Sequence, residues 1–262
     1  MTVVVGAVII GAAVLVGQRI AEDENETIEN ASTSTGSFTA RTAWGDPNLA
    51  GVWRAVPLGA GSGRDTFDLG TLEGLYTPAA RARMTALSAE DDPTMRCVPP
   101  AFPRAAMLGH RIQIIQSPGF VFVFTEAYPV FRIIPTTGRP HTEDQYLYPT
   151  YMGDSTARWE GDTLVVDVIS FNGEGWLAGP QDRPTNASTG IWLSSGALHV
   201  VERWRRVDAD TLEYQARVED PTMLTLPWET PTVTFTRQSV DRIEEVMCRP
   251  EDGPATYLAR LG

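Results

Sequence analysis

The first seventeen residues, Met1 to Gly17, contain no charged side chain. They are mainly Val, Ile, Leu, Ala and Gly, and the chain becomes polar at Gln18 and Arg19. A helix from Met1 to Ala21 is roughly 30 Å long at about 1.5 Å per residue, which matches the hydrocarbon core of a bilayer. Because a segment in lipid must satisfy its own backbone hydrogen bonds, we predict a single transmembrane helix over residues 1–21.

A cleaved signal peptide is the alternative interpretation of this segment. It predicts a basic region at the start and a cleavage site of the Ala-x-Ala type. No basic side chain precedes Val3, and the sequence Val14-Leu15-Val16-Gly17 is a poor cleavage site. These two observations favour a retained anchor.

The predicted helix carries small residues four positions apart: Ala7 with Gly11, and Ala13 with Gly17. Such pairs allow a second membrane helix to approach closely. Gly and Ala are also common in membrane helices generally, so this spacing supports a helix-packing face and an ordinary membrane helix about equally.

The composition after the anchor predicts a linker and a folded domain. Residues 22–42 form an acidic and then Ser/Thr-rich linker, and residues 43–262 form the domain. About 220 residues are enough for one large β domain or two small ones. The net charge of −12 argues against a nucleic-acid partner. It favours ordinary solubility, with a basic electron carrier as a further partner that an acidic face would attract.

All 21 basic residues are arginine. The absence of lysine excludes a P-loop lysine, a Schiff-base lysine and a lysine general base.

The domain is predicted to be mainly β, an antiparallel barrel or sandwich. Apolar, partly alternating runs are separated by short turns such as Ser117-Pro118-Gly119 and Glu160-Gly161-Asp162. The strands are expected at Gly51–Trp53, Arg111–Gln116, Phe120–Thr125, Val130–Ile134, Thr156–Trp159, Thr163–Ser170, Leu198–Arg205, Thr211–Val218, Thr232–Arg237 and Arg242–Cys248. One short helix is predicted over Thr77–Leu87, capped by Thr77 with Pro78 in its first position.

Two cysteines, Cys97 and Cys248, cannot by themselves form an iron–sulfur or tetrahedral zinc site. In an oxidising compartment they could form one disulfide, whereas in the cytoplasm two buried thiols would be the default.

No common catalytic motif is present. The three histidines, His110, His141 and His199, are scattered along the chain. Histidines in β proteins are more often structural than metal ligands, so no metal site and no cofactor is predicted.

A denser group of polar side chains occurs near the middle of the chain. It comprises Gly153, Asp154, Ser155, Arg158, Trp159 and Glu160, with Asp167, Asn172, Glu202 and Arg203 further along. Such a set could form a polar pocket with paired carboxylates for acid–base chemistry. Arg–carboxylate pairs and turn hydrogen bonds that fix hairpins are the alternative interpretation, which we favour.

Several segments resemble a large family of secreted bacterial β-rich proteins of unassigned function. They are Asp46–Trp53, Gly138–His141, Tyr151–Ser155, Arg158–Asp167, Phe171–Asn172 and Ala197–Arg203. The resemblance implies export from the cytoplasm and a disulfide between Cys97 and Cys248. Gly51-Val52-Trp53 is also similar to the opening of lipocalin-like barrels.

The chain departs from this family before Ala197. The family tends to carry Pro-His-Ser-Asp there, and this chain reads Leu193-Ser194-Ser195-Gly196 after a longer stretch that begins at Gln181. A histidine and an aspartate are therefore missing. If the family has a catalytic site at this position, the resemblance implies that this chain has lost it.

The anchored, β-rich architecture also resembles an accessory subunit of a bacterial photosynthetic reaction-centre–light-harvesting complex. Our first hypothesis is therefore a non-catalytic subunit, anchored in the inner membrane with its N-terminus cytoplasmic and its domain periplasmic. It would brace other membrane subunits in the bilayer. The alternative is a periplasmic enzyme or small-ligand-binding barrel. Its pocket would be lined by His141, Asp154, Arg158, Glu160 and His199.

Overall fold

The computed structural model describes residues 40–56, 72–142, 144, 147–180 and 190–252. The predicted anchor, with Ala7, Gly11, Ala13 and Gly17, lies outside the described residues, as does the predicted linker up to residue 39. Within the described ranges, no helix has both the length and the apolar character that a membrane crossing needs.

The described chain is mainly β. Its strands are β1 (Gly51–Ala55), β2 (Arg111–Ser117), β3 (Phe120–Thr125), β4 (Val130–Pro135), β5 (Asp154–Glu160), β6 (Thr163–Ile169), β7 (Trp176–Ala178), β8 (Trp192–Leu193), β9 (His199–Arg206), β10 (Thr211–Glu219), β11 (Trp228–Glu229) and β12 (Val233–Arg237). Its α-helices are α1 (Leu72–Leu75), α2 (Pro78–Thr85) and α3 (Arg104–Met107).

Nine of these strands form a nearly closed antiparallel barrel. Their spatial order is β4-β3-β2-β1-β12-β10-β9-β6-β5, in which β1 to β4 are sequential neighbours and β12 pairs with β1. Each of the pairings in this order is antiparallel. Because the number of strands is odd and directions alternate, the two terminal strands, β4 and β5, must run parallel.

The chain that leaves β4 turns back and runs along β5. A hairpin cannot connect two parallel strands, so the chain has to turn back after β4. Residues 138–141, which we call the return segment, run beside β5 in the opposite direction. The Gly138 amide donates to the Ala157 carbonyl at 2.9 Å. The Thr156 hydroxyl donates to the Arg139 carbonyl at 2.6 Å.

The barrel interior is filled by side chains. Alternate residues of the strands point inward, as in β10, where Leu212 and Tyr214 are fully buried. The segment that leads into α3 places Phe102 inside the barrel, where its ring centroid lies 5.7 Å from that of Trp204 and 6.0 Å from that of Tyr214. The aromatic packing leaves the barrel with a solid core.

A buried ion pair lies within this core. Arg132 of β4 donates to both carboxylate oxygens of Glu202 at 3.0 Å. It also donates to the Ser155 hydroxyl of β5 at 2.9 Å, which joins β4 to β5. The Trp204 indole donates to Glu202 at 3.0 Å, and the Arg132 guanidinium lies 4.8 Å from the centroid of the Phe102 ring. Burial and the nearby Glu202 raise the pKa of Tyr214 well above its ordinary value.

A second buried ion pair fixes the irregular chain between α2 and α3. Both guanidinium ends of Arg104 donate to Asp92, at 3.0 and 2.6 Å. Asp92 also accepts from the Thr94 amide at 2.9 Å. The backbone of Gly179 passes so close that a Cβ atom there would lie 1.9 Å from the Asp92 carboxylate.

The mainly β prediction is confirmed, and the architecture is a barrel. The hairpins β2–β3, β5–β6 and β9–β10 form as predicted. Thr77 caps α2 through its side chain and Pro78 begins the helix, although the helix ends at Thr85 rather than at Leu87.

Two expectations about secondary structure were wrong. The predicted strand Arg242–Cys248 is irregular, since β12 already pairs with both β1 and β10 and leaves no free edge beside it. The prediction of a single helix was also wrong, because two further helices, α1 and α3, accompany α2. Each of them contains only four residues. Helices of about one turn are too short to show an apolar period in the sequence.

Candidate functional site

Five titratable side chains form a continuous chain on the outer surface of the barrel. Their order is Asp154, His141, Asp167, His199 and Glu219, and we call them the His–carboxylate cluster. The two nitrogens of His141 lie 2.6 Å from Asp154 Oδ2 and 2.9 Å from Asp167 Oδ1. His199 Nε2 lies 3.2 Å from Asp167 Oδ2, and His199 Nδ1 lies 3.7 Å from Glu219 Oε2. Acid and base therefore alternate along the cluster.

The register of the sheet brings these residues together. Asp167 of β6 pairs with Val201 of β9, so it lies on the same face as His199, two residues earlier in β9. Glu219 of β10 pairs directly with His199. Asp154 begins β5, beside the end of β6. The return segment contributes His141 from outside the sheet, so the cluster ties this segment to the barrel wall.

The electrostatics of the cluster are mutually stabilising. The hydrogen bond from His199, assisted by His141, holds the pKa of Asp167 below its ordinary value despite partial burial. The same bond to Asp167 raises the pKa of His199, and Glu219 adds to this effect.

The surroundings of the cluster are polar and partly open to solvent. The nearby Ser155 hydroxyl points into the barrel, toward Arg132. Among the described residues, no three His, Cys, Asp or Glu side chains are arranged to hold a metal ion. The Asp167 side chain is 38% exposed.

The structure divides the predicted pocket residues between two groups. His141, Asp154 and His199 meet through Asp167 as described above. Glu160 instead pairs with Arg158 and with Arg203, and all three side chains are exposed. These pairs lower the pKa of Glu160, chiefly through Arg158.

The remaining polar residues of the sequence set lie elsewhere. Glu202 is inside the barrel, and Asn172 accepts from the Glu174 amide in a turn. The third histidine, His110, is not part of the cluster, and its burial lowers its pKa to about 4.

Two members of these networks were missed by sequence reasoning. Glu219 carried no motif signal. Arg132 did carry one, because it interrupts the apolar run Val130–Ile134 and alternation places it on the same face as the buried Ile134.

Two clefts among the described residues lie away from the cluster. One cleft, of about 410 Å³, is lined by residues that include Arg83, Arg96 and Glu174. A cavity beside Phe102 has about 10 Å³, room for roughly one water molecule. None of the five cluster residues lines either of these spaces.

A second part of the outer surface, on β2, β3 and β4, is apolar. The outward side chains of β2, β3 and β4 form what we call the apolar face: Ile115, Phe120, Phe122, Phe124, Phe131 and Ile133. They are cross-strand neighbours, since Phe122 pairs with both Ile115 and Ile133 and Phe124 pairs with Phe131. Phe131 is 59% exposed, Ile133 50%, Ile115 45% and Phe120 42%. Contiguous exposed apolar side chains of this size mark surfaces that bind partners.

The other wall of the barrel is charged. The outward side chains of β5, β9 and β10 carry arginines paired with carboxylates, such as Arg205 with Glu213 and Arg217 with Glu229. The barrel is therefore two-sided, with one apolar wall and one charged wall.

A disulfide joins Cys97 to Cys248 and closes a loop with a sequence separation of 151. The chain before Cys248 runs past the edge of the apolar face, where the Gln113 side chain donates to the Asp241 carbonyl at 3.2 Å and accepts from the Ile243 amide at 3.4 Å. Val246 and Cys248 pack against Ala127 and Tyr128. We call residues 241–248 the tail strap.

Comparison of the sequence with models of protein families and with curated proteins finds no match.

Proposed function

We propose that this protein is a non-catalytic subunit that braces a larger membrane protein complex. The observation that carries the proposal is the apolar face, because six large apolar side chains on three adjacent strands favour contact with another surface. The filled barrel supports a structural role over ligand binding. Phe102, Trp204 and Tyr214 occupy the volume that a ligand would need.

The proposed position in the cell is the inner membrane, with a single N-terminal helix, a cytoplasmic N-terminus and a periplasmic domain. The apolar segment from Met1 to Ala21 supports the anchor. The disulfide between Cys97 and Cys248 supports an oxidising compartment for the domain. Ala7, Gly11, Ala13 and Gly17 are the proposed contact face for neighbouring membrane helices. The complex that the sequence resemblance suggests is a photosynthetic reaction-centre–light-harvesting complex.

The test is extraction of the full-length chain from its native membranes in a mild detergent, followed by native sizing and mass spectrometry. The wild-type chain is expected to elute with defined membrane subunits, and bacteriochlorophyll absorbance in the same fraction would identify a photosynthetic complex. A monomeric chain without partners would contradict the proposal.

A matched pair of variants assigns the contact to the apolar face. The variant Phe131→Ser/Ile133→Ser should no longer elute with the membrane subunits, because it removes two exposed apolar side chains of that face. The control Arg203→Ser/Arg205→Ser changes two side chains of similar exposure on the charged wall and should stay in the complex.

A second function, periplasmic acid–base chemistry, is favoured by one observation: His141 and His199 both contact Asp167, and His141 also contacts Asp154. It predicts that small polar ligands protect the protein against thermal unfolding in the wild type and not in the variant Asp167→Asn. A ligand screen without any such difference would leave the structural role as the function.

A further inference from the structure

We infer that the groove between the apolar face and the tail strap binds a partner-protein segment in which an apolar side chain lies next to arginine or lysine. The inference rests on the proposed function, since it names the chemistry of the partner that the apolar face contacts. The groove has about 270 Å³ and is lined by Phe124, Val130 and Phe131 on the barrel side and by Ile243, Glu244 and Glu245 on the strap side.

The barrel side of the groove is an apolar wall. Phe124 and Phe131 are cross-strand partners whose ring centroids lie 6.3 Å apart. Phe131 is more than half exposed, so a partner side chain that covers it removes a large apolar area from water. An aromatic pair at the base of an open groove is the type of site that holds an apolar anchor residue.

The strap side of the groove is acidic. Glu244 is paired only loosely with Arg242, at 3.9 Å, and both side chains are more than 70% exposed. Within the described ranges, Glu245 has no ion-pair partner. The other carboxylate near this end of the sheet, Glu126, is paired with Arg111 at 3.1 Å. A partner with a basic residue beside its apolar anchor therefore complements the groove. The net charge of −12 means that the chain as a whole also attracts a basic partner.

The groove is fixed by contacts that do not involve a partner. Gln113 holds the backbone of the tail strap at Asp241 and Ile243, and the disulfide holds its end at Cys248. Because the strap is tied at both ends, a partner does not have to order it on binding, which favours affinity.

The same charges argue against two other occupants. An anionic lipid surface would be repelled by Glu244 and Glu245. A second copy of this acidic chain would bring the same charge to the groove.

The test uses the full-length chain in phosphatidylcholine nanodiscs and three fluorescent peptides with one Leu-Phe-Leu core, flanked by arginine, by serine or by glutamate. Binding is measured by anisotropy at low and high salt. The arginine-flanked peptide is expected to bind about fivefold more tightly than the serine-flanked peptide at low salt, with the glutamate-flanked peptide weakest. Phe131→Ser should abolish binding of all three peptides.

Charge variants separate the groove from the rest of the surface. Glu244→Gln/Glu245→Gln should keep the binding of the serine-flanked peptide and lose the preference for arginine. The control Glu213→Gln/Glu229→Gln removes two carboxylates from the charged wall and should keep the preference. Circular dichroism and the thermal midpoint verify that each variant is folded.

Several outcomes would overturn the inference: equal binding of the three peptides, no binding of any, or a preference that survives Glu244→Gln/Glu245→Gln. Phe131-dependent binding to phosphatidylcholine or phosphatidylglycerol vesicles without peptide binding would identify lipid as the occupant. A concentration-dependent dimer that Phe131→Ser dissociates would identify a second copy.

The peptide test and the extraction test fail independently. A chain that joins a complex but does not discriminate among the peptides refutes only the groove chemistry. A chain that discriminates among the peptides but is extracted without partners refutes only the proposed function.

Discussion

His141 Nε2 lies 2.9 Å from Asp167 Oδ1, and this contact joins the return segment to strand β6. The other oxygen of the same carboxylate contacts His199 at 3.2 Å. One carboxylate on the barrel wall thus connects two imidazoles that are far apart in the sequence, and its charge determines how both are held.

The variant Asp167→Asn should lower the pKa of His199 toward its ordinary value. The bond to the Asp167 carboxylate is the largest cause of the raised pKa, and a neutral amide cannot replace that charge. Titration of the histidine C2 protons by NMR measures the change. Glu213→Gln, on the same wall but outside the cluster, is the control. An unchanged His199 titration in Asp167→Asn would show that the cluster does not exist in solution.

The cluster also predicts the sign of a pH effect. The raised pKa of His199 contributes stability below its ordinary value of 6.5, and this contribution disappears as the pH rises through the raised value. The lowered pKa of Asp167 contributes stability above the ordinary value of 3.8, which disappears as the pH falls through the lowered value. The difference in unfolding free energy between wild type and Asp167→Asn should therefore be largest between the two ordinary pKa values, 3.8 and 6.5.

His110 should make the domain less stable in mild acid. Its pKa is about 4 because of burial, with Arg54 contributing, whereas an unfolded histidine titrates near 6.5. The unfolded state therefore binds a proton first as the pH falls, and the free energy of unfolding should drop by about 3 kcal/mol between pH 6.5 and 4. Urea unfolding at a series of pH values, compared with His110→Gln, isolates this effect. Parallel pH profiles for the two proteins would contradict it.

Breaking the interior ion pair should be costly, and replacing both partners should be less so. Arg132→Met or Glu202→Met should each lower the unfolding free energy by about 3–5 kcal/mol, because each leaves an unpaired group in the core. The double variant Arg132→Met/Glu202→Met should be more stable than either single variant, although Trp204 and Ser155 lose a partner. Chemical denaturation of the four proteins gives the coupling energy. Simple additivity would show that the two side chains do not interact.

Gly179→Ala should destabilise the domain by about 2–4 kcal/mol. The new Cβ would lie 1.9 Å from Asp92 Oδ2 and 2.7 Å from Arg104 Nη2, so the buried ion pair would have to separate or the backbone to shift. Gly175→Ala is the matched control, because a Cβ there meets nothing within 4 Å. Equal thermal midpoints for the two variants would exclude the close approach.

Loss of the disulfide should cost about 3–5 kcal/mol by the chain-entropy estimate for a loop of this length. The variant Cys97→Ser/Cys248→Ser should unfold at a lower urea concentration, and added reductant should destabilise only the wild type. A reductant-insensitive wild-type midpoint would mean that the bridge is not formed.

Local signals in the sequence were sufficient for the hairpins, because a turn such as Glu160-Gly161-Asp162 between alternating runs determines its own pairing. They were insufficient to predict that β4 and β5 end the sheet in parallel, because this depends on the odd number of strands in the barrel. They were also insufficient for Trp176–Ala178 and Trp192–Leu193, whose pairing joins two very short strands.

The candidate site was predictable only in part, for a related reason. His141, Asp154 and His199 were identified by type and context, but their connection through Asp167 depends on the register between β6 and β9. The apolar face was visible as alternate Phe residues in Phe120–Phe124, yet both faces of β3 are apolar. Alternation alone therefore does not determine which face lies inside.

The parallel relationship of β4 and β5 has a consequence for how the barrel comes apart. Each of the other barrel strands is held by ladder hydrogen bonds on both sides, whereas β4 and β5 end the sheet and have a ladder on one side only. The amides of these two strands should therefore exchange with deuterium before those of β9, β10 and β12. Unfolding of the barrel would then begin at the edge between β4 and β5. The return segment, with His141 at its end, contacts β5 at this edge and should slow that opening.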